Sequence, residues 1–328
     1  MSIAKSTPKG YLMKTKQTII LGVSSSLLGE KVRYDGGHKQ HQYITDQLAC
    51  YFHFVPVCPE VECGFTTPRE AMHLSGDTAA PRLVTIKTDH DLTKQMQEWS
   101  LRRVKELEQL QLRGFILKKS SPSCGLFRVK VYQDKGPPLT SGQGLFARAL
   151  TDAFPLLPIE EEGRLSDARL RENFIERVYS YDRLLTFLAT KPAKADLIQF
   201  HTIHKLLLMA HSNEHYRRLG KLVASTLSLQ ELLSSYTKLF MEALQPVATP
   251  AKQTNVLMHC LGYFKKQLDA WEKQELLDLI ERYRIGQLPL IVPITLLKHY
   301  ICRFRQPYLT EQLYFSPHPD ELMLRNHA

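Results

Sequence analysis

The sequence predicts two domains, an α/β domain built on a mostly parallel sheet followed by an all-α domain. Three observations carry that reading. At 328 residues the chain exceeds the size that one hydrophobic core usually supports. In its first half, short β-branched runs alternate with helix-length amphipathic stretches, the pattern of a Rossmann-like sheet whose parallel strands are joined by crossover helices. From Leu197 onward apolar residues recur at spacings of three and four, and no strand pattern competes with them.

In chain order, residues 1–17 carry Lys5, Lys9, Lys14 and Lys16 with no apolar core behind them, so a basic N-terminal tail is expected rather than a signal peptide. Strands are expected at Thr18–Val23, Phe52–Val57, Leu83–Ile86 and Gly114–Leu117. Helices are expected at His41–Tyr51 and Leu92–Leu112, the second started by Thr93 and followed by Gly114. Gly142–Ala153 reads as a helix and Phe154–Ile159 as a last short strand, after which Glu160-Glu161-Glu162-Gly163 interrupts the apolar pattern. The α/β domain is thus placed at 18–160. The periodic stretch Ser166–Leu188, ended by Lys191-Pro192, makes 161–195 a helical connector. In the all-α domain, 196–328, helices are expected at Phe200–Leu222, Leu229–Leu244, Thr254–Trp271 and Lys273–Tyr283, with Pro289 and Pro293 breaking the chain before Leu296–Phe304.

An apolar fraction of 43% and a charged fraction of 23% are ordinary for a soluble protein. No apolar run approaches the roughly 20 residues of a membrane span. The six cysteines are scattered, without disulfide-framework spacing, which fits a reducing cytoplasm. A formal charge of +10 favours a polyanionic partner such as RNA. A mildly basic solvated surface accounts for it equally well.

Three loops stand out, each directly after an expected strand: Ser24–Gly29 with Arg33–Gly37, Pro56–Glu60 with Pro68-Arg69-Glu70, and Lys118–Gly125. In a parallel sheet such loops gather at one edge, where ligands bind. Cys58 and Cys124 in Pro- and Gly-rich surroundings suit metal or Fe–S ligation or nucleophilic catalysis, or are two structural thiols. Lys118 and Lys119 are expected to depress the Cys124 thiol pKa. Glu60 is a general acid/base candidate, or a carboxylate pairing with Arg69 or Arg33. Ser121 and Ser123 are donors to a substrate, or turn-forming serines.

These loops, in this order, resemble the TudS-like thiouracil desulfidase family over essentially all of 18–160. The resemblance implies a 4Fe–4S cluster held by three cysteines, with one iron open to the substrate's sulfur. Two of those cysteines match Cys58 and Cys124, and the family's active-site acid and hydroxyl match Glu60 and Ser121. The family's first motif reads Ser-x-Cys-Leu-Leu-Gly, and its cysteine position is Ser26 here. A hydroxyl is a poorer ligand than a thiolate for soft iron. Three outcomes stay open: Ser26 ligates as an alkoxide, Cys63 stands in for it, or the cluster is lost.

The second half resembles the YbgA-like domain through Phe200–Lys205, Ala210-His211-Ser212, Tyr216–Gly220, Leu261–Lys265, Tyr283-Arg284 and Pro319–Leu322. This fusion implies the tRNA-acting branch, which converts 4-thiouridine to uridine. His201, His204, Lys205, His211, His215 and Arg218 fall at three and four spacing and are read as one helix face. His201, His204, Lys205, Arg217, Arg218, Lys265 and Arg284 are the expected RNA-binding residues. No metal site is expected at His201 and His204. Two other readings stand beside this one. One is a catalytically degenerate tRNA-binding protein without a cluster. The other is a desulfidase of free thiouracil whose helical domain serves oligomerisation.

Overall fold

The computed structural model describes residues 19–327. The tail expected over 1–17 lies outside the described residues. Strand β1 (Ile19–Ser24) pairs in parallel with β2 (Phe52–Val57), from Ile19 opposite Phe52 to Ser24 opposite Val57. Helix α1 (Pro59–Glu62) starts directly after β2. β3 (Met72–Ser75), β4 (Arg82–Thr85) and α2 (Thr93–Gln109) follow. β5 (Gly114–Leu117) then lies parallel to the other side of β1. Beyond it come β6 (Val129–Tyr132), β7 (Leu139–Gly142), α3 (Leu145–Ala153) and β8 (Ile159–Glu161), the last parallel to β5. The main sheet is therefore all-parallel in the order β2-β1-β5-β8. Gly22 has no alternative on β1, because a Cβ there would stand 2.2 Å from the Phe115 ring on β5.

A second four-stranded sheet, β4-β3-β6-β7, departs from the sequence reading. The strand expected at Leu83–Ile86 belongs to it, antiparallel to β3, and not to the parallel sheet. Helices cover both faces of the main sheet. Met96, Trp99 and Leu107 of α2 and Phe146 and Leu150 of α3 pack with Phe115 and Leu117 on one face. Ile44, Leu48, Phe174, Ile175 and Val178 pack with Leu21, Val23 and Ile116 on the other. The helix expected at His41–Tyr51 is irregular, a wide turn at Tyr43–Gln47 followed by a 3-10 turn at Leu48–Cys50.

α4 (Ala168–Ala189) starts where the Asp167 carboxylate accepts the Arg169 and Leu170 N–H groups. Its Phe174 and Val178 serve the α/β core and its Leu184 the helical one. The expected helix Phe200–Leu222 is two helices, α5 (Lys194–His211) and α6 (Asn213–Val223), because Ser212 is extended and its hydroxyl caps the second. α7 (Leu229–Leu244) and α9 (Ala270–Arg284) open on capping boxes, Ser228/Glu231 and Asp269/Glu272. Between them α8 (Pro250–Gly262) ends earlier than expected, and Trp271 belongs to α9. α10 (Ile291–Phe304) contains Pro293 in its first turn, where a missing N–H costs nothing. After α11 (Pro307–Thr310) the chain returns through short turns, and Arg325 forms buried ion pairs with Glu172 and Glu176 of α4.

Candidate active site

β2, β1 and β5 are neighbours, so the loops after them meet at one sheet edge. They enclose a cavity of about 390 Å³ whose wall includes Ser24, Ser26, Cys58, Glu60, Ser123 and Cys124. Ser121, Arg33, Lys39, Arg69, Lys118 and Lys119 line it too. Ser26, Cys58 and Cys124, the first and last of them 98 residues apart in sequence, thus share one space. Cys63 is not part of that wall.

The two thiols are set by burial. Cys124 is 5% exposed, and burial pushes its thiol up to about 12, against a hydrogen bond from Ser24. Burial raises the Cys58 thiol as well. This corrects the expectation that Lys118 and Lys119 depress Cys124. The Lys118 ammonium is 2.5 Å from Glu162 Oε1, and the Lys119 side chain lies against Gly163. Burial thus favours the protonated form of both thiols, and only the charge of a bound metal would turn them into thiolates.

Beside them runs a hydrogen-bonded chain, with Ser123 Oγ 3.9 Å from Cys124 Sγ. The Glu60 carboxylate is bound by Arg69, whose Nε donates to Oε2 at 3.0 Å and whose Nη2 reaches Val32 O at 2.9 Å. Arg33 pairs with Asp35 instead. Ser123, 1% exposed, donates its hydroxyl to Glu60 Oε1 at 2.8 Å. The Ser121 and Ser123 hydroxyls are 2.9 Å apart. Ser121 Oγ already accepts the N–H groups of Ser123 (3.2 Å) and Cys124 (3.1 Å). With both its lone pairs taken, Ser121 must donate to Ser123. The order with Glu60 ionised is Ser121 to Ser123 to Glu60, so Ser121 shapes the Cys124 turn while Ser123 touches the acid.

Two residues that the sequence reading treated as an interruption hold this loop in place. Buried Glu162 accepts Lys119 N–H at 2.7 Å through Oε2, and buried Glu161 accepts Leu126 N–H at 2.8 Å and Phe127 N–H at 3.1 Å. The carboxylates at the end of β8 therefore fix both ends of the segment carrying Cys124. A signal existed: acids at the C-terminal end of a parallel strand lie where loop N–H groups need acceptors.

In the helical half the structure separates the expected RNA-binding residues. His201 and His204 are core residues, 3% and 0% exposed, so neither is placed to touch a phosphate. His201 Nδ1 faces the Tyr236 hydroxyl, and His204 Nδ1 bonds Phe200 O at 2.7 Å. Burial lowers His201 to about 4 and His204 well below its usual value, so both stay neutral. His211 is buried against Glu176, and the helix break at Ser212 dissolves the single face read across α5 and α6. Lys205 is half-buried, and Arg217, Arg218, Lys265 and Arg284 are exposed, Arg218 paired with Glu214 and Arg284 with Glu281.

The family model described as 2-thiouracil desulfurase matches residues 21–162, and a model described as a protein of unknown function, DUF1722, matches residues 205–319. The chain is 33% identical over 161 residues to the uncharacterized protein YbgA of Escherichia coli (strain K12), covering 48% of this chain and 95% of that one. It is 31% identical over 136 residues to the uncharacterized protein YbbK of Bacillus subtilis (strain 168), covering 40% and 89%. A solved structure of the 4Fe-4S-dependent thiouracil desulfidase TudS is 28% identical, covers 46% of this chain and 93% of its own, and gives a TM-score of 0.38.

Proposed function

Since the chain belongs to the 2-thiouracil desulfurase family through residues 21–162 and to the DUF1722 family through residues 205–319, we propose that it removes sulfur from a thiolated pyrimidine, with 4-thiouridine in tRNA as the substrate. The observation that carries this reading is the convergence of two thiols and the Glu60–Ser123 chain on one cavity inside the matched region.

The donor set fits a 4Fe–4S cluster through its soft members. Cys58 and Cys124 line the same wall and would hold it as thiolates, and Ser26, 8% exposed, would offer a hydroxyl as the third donor. Bound there, the cluster supplies an open iron with affinity for the substrate's thiocarbonyl sulfur. The chain's own residues do the rest. The reaction exchanges C=S for C=O, consuming water and releasing hydrogen sulfide, with no net oxidation. Glu60 takes one proton from the attacking water and delivers it to the sulfur, then relays the second from the hydroxyl left on carbon as C=O forms and the sulfide departs, so both water protons end on sulfur. Arg69 fixes the orientation of that carboxylate, and Ser123 holds its other oxygen. Lys39 and Lys119 at the cavity, with Arg217, Arg218 and Lys265 on the helices, are cations for tRNA phosphates.

Ser26 itself favours a second reading, a tRNA-binding protein that has lost the cluster. A cytoplasmic setting accords with either, since both need tRNA and the first needs reduced thiols as well. Sulfide release from tRNA containing 4-thiouridine and from free 2-thiouracil, measured with the reconstituted chain, tests the proposal. Faster release from tRNA supports it. Release from the free base alone would transfer the activity to a small-molecule substrate, and no release from an iron-free chain would favour the second reading.

A further inference from the structure

A second hollow, of about 780 Å³, adjoins the active-site cavity, and Lys119 and Ser120 stand in the walls of both. Its remaining lining includes Phe127, Arg128, Thr140, Ser141, Gln143 and Arg164. The hollow is built rather than incidental. The buried Glu161 carboxylate accepts the N–H groups of Leu126 and Phe127, which holds the turn that presents the Phe127 and Arg128 side chains. Phe127 stands 46% exposed, with the Arg164 guanidinium 5.3 Å from its ring centroid. Arg128 has φ +53°, a left-handed conformation rare for a residue with a Cβ and concentrated at functional positions.

The chemistry of the lining selects a ligand. Among the described residues neither the Lys119 ammonium nor the Arg128 guanidinium has a hydrogen-bond or ion-pair partner, whereas Arg164 is neutralised by Glu160 at 2.7 Å. The one carboxylate in the lining, Glu161, is committed to backbone N–H groups. What remains is an exposed aromatic ring, two unpaired cations and the neutral polar groups of Thr140, Ser141 and Gln143. That set matches a nucleotide: a base to stack, a phosphate to neutralise and base edges to hydrogen-bond. A free thiopyrimidine in the first cavity has nothing that extends into the second, but the next nucleotide of a strand does.

We propose that this hollow holds the nucleotide adjacent to the thiolated one, its base against Phe127 and the linking phosphate against Lys119 and Arg128. The inference rests on the desulfidase reading of the first cavity and makes the substrate a strand rather than a free base. The test uses the full chain and two probes, a trinucleotide with central 4-thiouridine and the 4-thiouridine nucleoside, with binding measured by calorimetry and sulfide release measured separately. The trinucleotide is expected to bind more tightly than the nucleoside, and Phe127→Ala to remove about tenfold of that advantage, the contribution of one stacked base. Phe127→Tyr retains a ring and is expected to retain the affinity. Arg128→Ala is expected to weaken trinucleotide binding and to lower its salt dependence by about 0.7 in log–log slope, one phosphate's worth. Nucleoside binding stays unchanged in all three. Equal binding of the two probes, or equal weakening of both by the variants, overturns the proposal. Selective trinucleotide binding without sulfide release from either probe overturns the desulfidase reading and leaves the nucleotide site supported.

Discussion

Ser123→Ala separates the acid–base chain from the cluster-holding turn. The Ser123 hydroxyl donates to Glu60 Oε1 at 2.8 Å and faces the Ser121 hydroxyl at 2.9 Å, in a position 1% exposed. A hydrogen bond to a charged acceptor contributes about 1.5–3 kcal/mol. Its loss also leaves the Ser121 proton without an acceptor, so the unfolding free energy is expected to fall by about 2–3 kcal/mol. The rate of sulfide release is expected to fall about 100-fold or more, the low end of what a positioned proton-transfer group supplies. Iron content is expected to stay unchanged, because Ser121 Oγ still accepts the Ser123 and Cys124 N–H groups. Ser121→Ala should do the reverse, freeing those two N–H groups and losing iron. Urea unfolding followed by circular dichroism, iron per chain, and initial rates across pH read the three effects separately. A Ser123→Ala protein with the wild-type rate, or one that loses iron as Ser121→Ala does, refutes the reasoning.

Ser26→Cys restores a thiolate donor and should raise iron occupancy and visible absorbance after identical reconstitution; full occupancy in both proteins would show that Ser26 or another residue already serves as the ligand. In the buried cluster on α4, burial and then the Glu176 charge push Glu172 up to about 7, while against its own burial the His211 hydrogen bond and Arg325 hold Glu176 down to about 2. Between the ordinary value of 4.5 and about 7 the folded chain therefore binds more protons at Glu172 than the unfolded one, so stability should fall as pH rises through that window. Glu172→Gln should remove this slope in urea titrations, and an unchanged slope would discount the assignment. Arg217→Ala with Arg218→Ala should weaken tRNA binding and flatten its salt dependence, whereas His201→Ala should lower stability and leave the salt slope alone; filter binding at several salt concentrations distinguishes them.

The parallel sheet was legible because its strands are short apolar runs with hard boundaries. Phe52–Val57 and Gly114–Leu117 fall where the pattern puts them, and the placement of three loops at one edge followed from parallel topology alone. The second sheet was not legible. β7 is exposed at its first three positions, and β3 and β6 are only four residues long, so neither an apolar run nor a sustained alternation marks them. Glu160–Glu162 misled because acids were weighed as polar residues, whereas here they end a buried strand and satisfy loop N–H groups. His201 and His204 misled in the opposite sense. Their spacing from Leu197, Phe200, Leu207 and Leu208 is the core stripe of α5, and periodicity outweighed residue type. In the site, residue types named Ser121 and Ser123 together, but only the geometry of their hydroxyls tells which one reaches Glu60.

The most direct measurement is the 4-thiouridine content of tRNA, by mass spectrometry of nucleoside digests, after incubation with the anaerobically reconstituted chain and with its Cys124→Ala variant. Loss of 4-thiouridine matched by a gain of uridine and by equimolar sulfide, absent with Cys124→Ala, is the predicted result. Unchanged 4-thiouridine in the presence of an iron-loaded wild-type chain, or equal conversion by the variant, would contradict it.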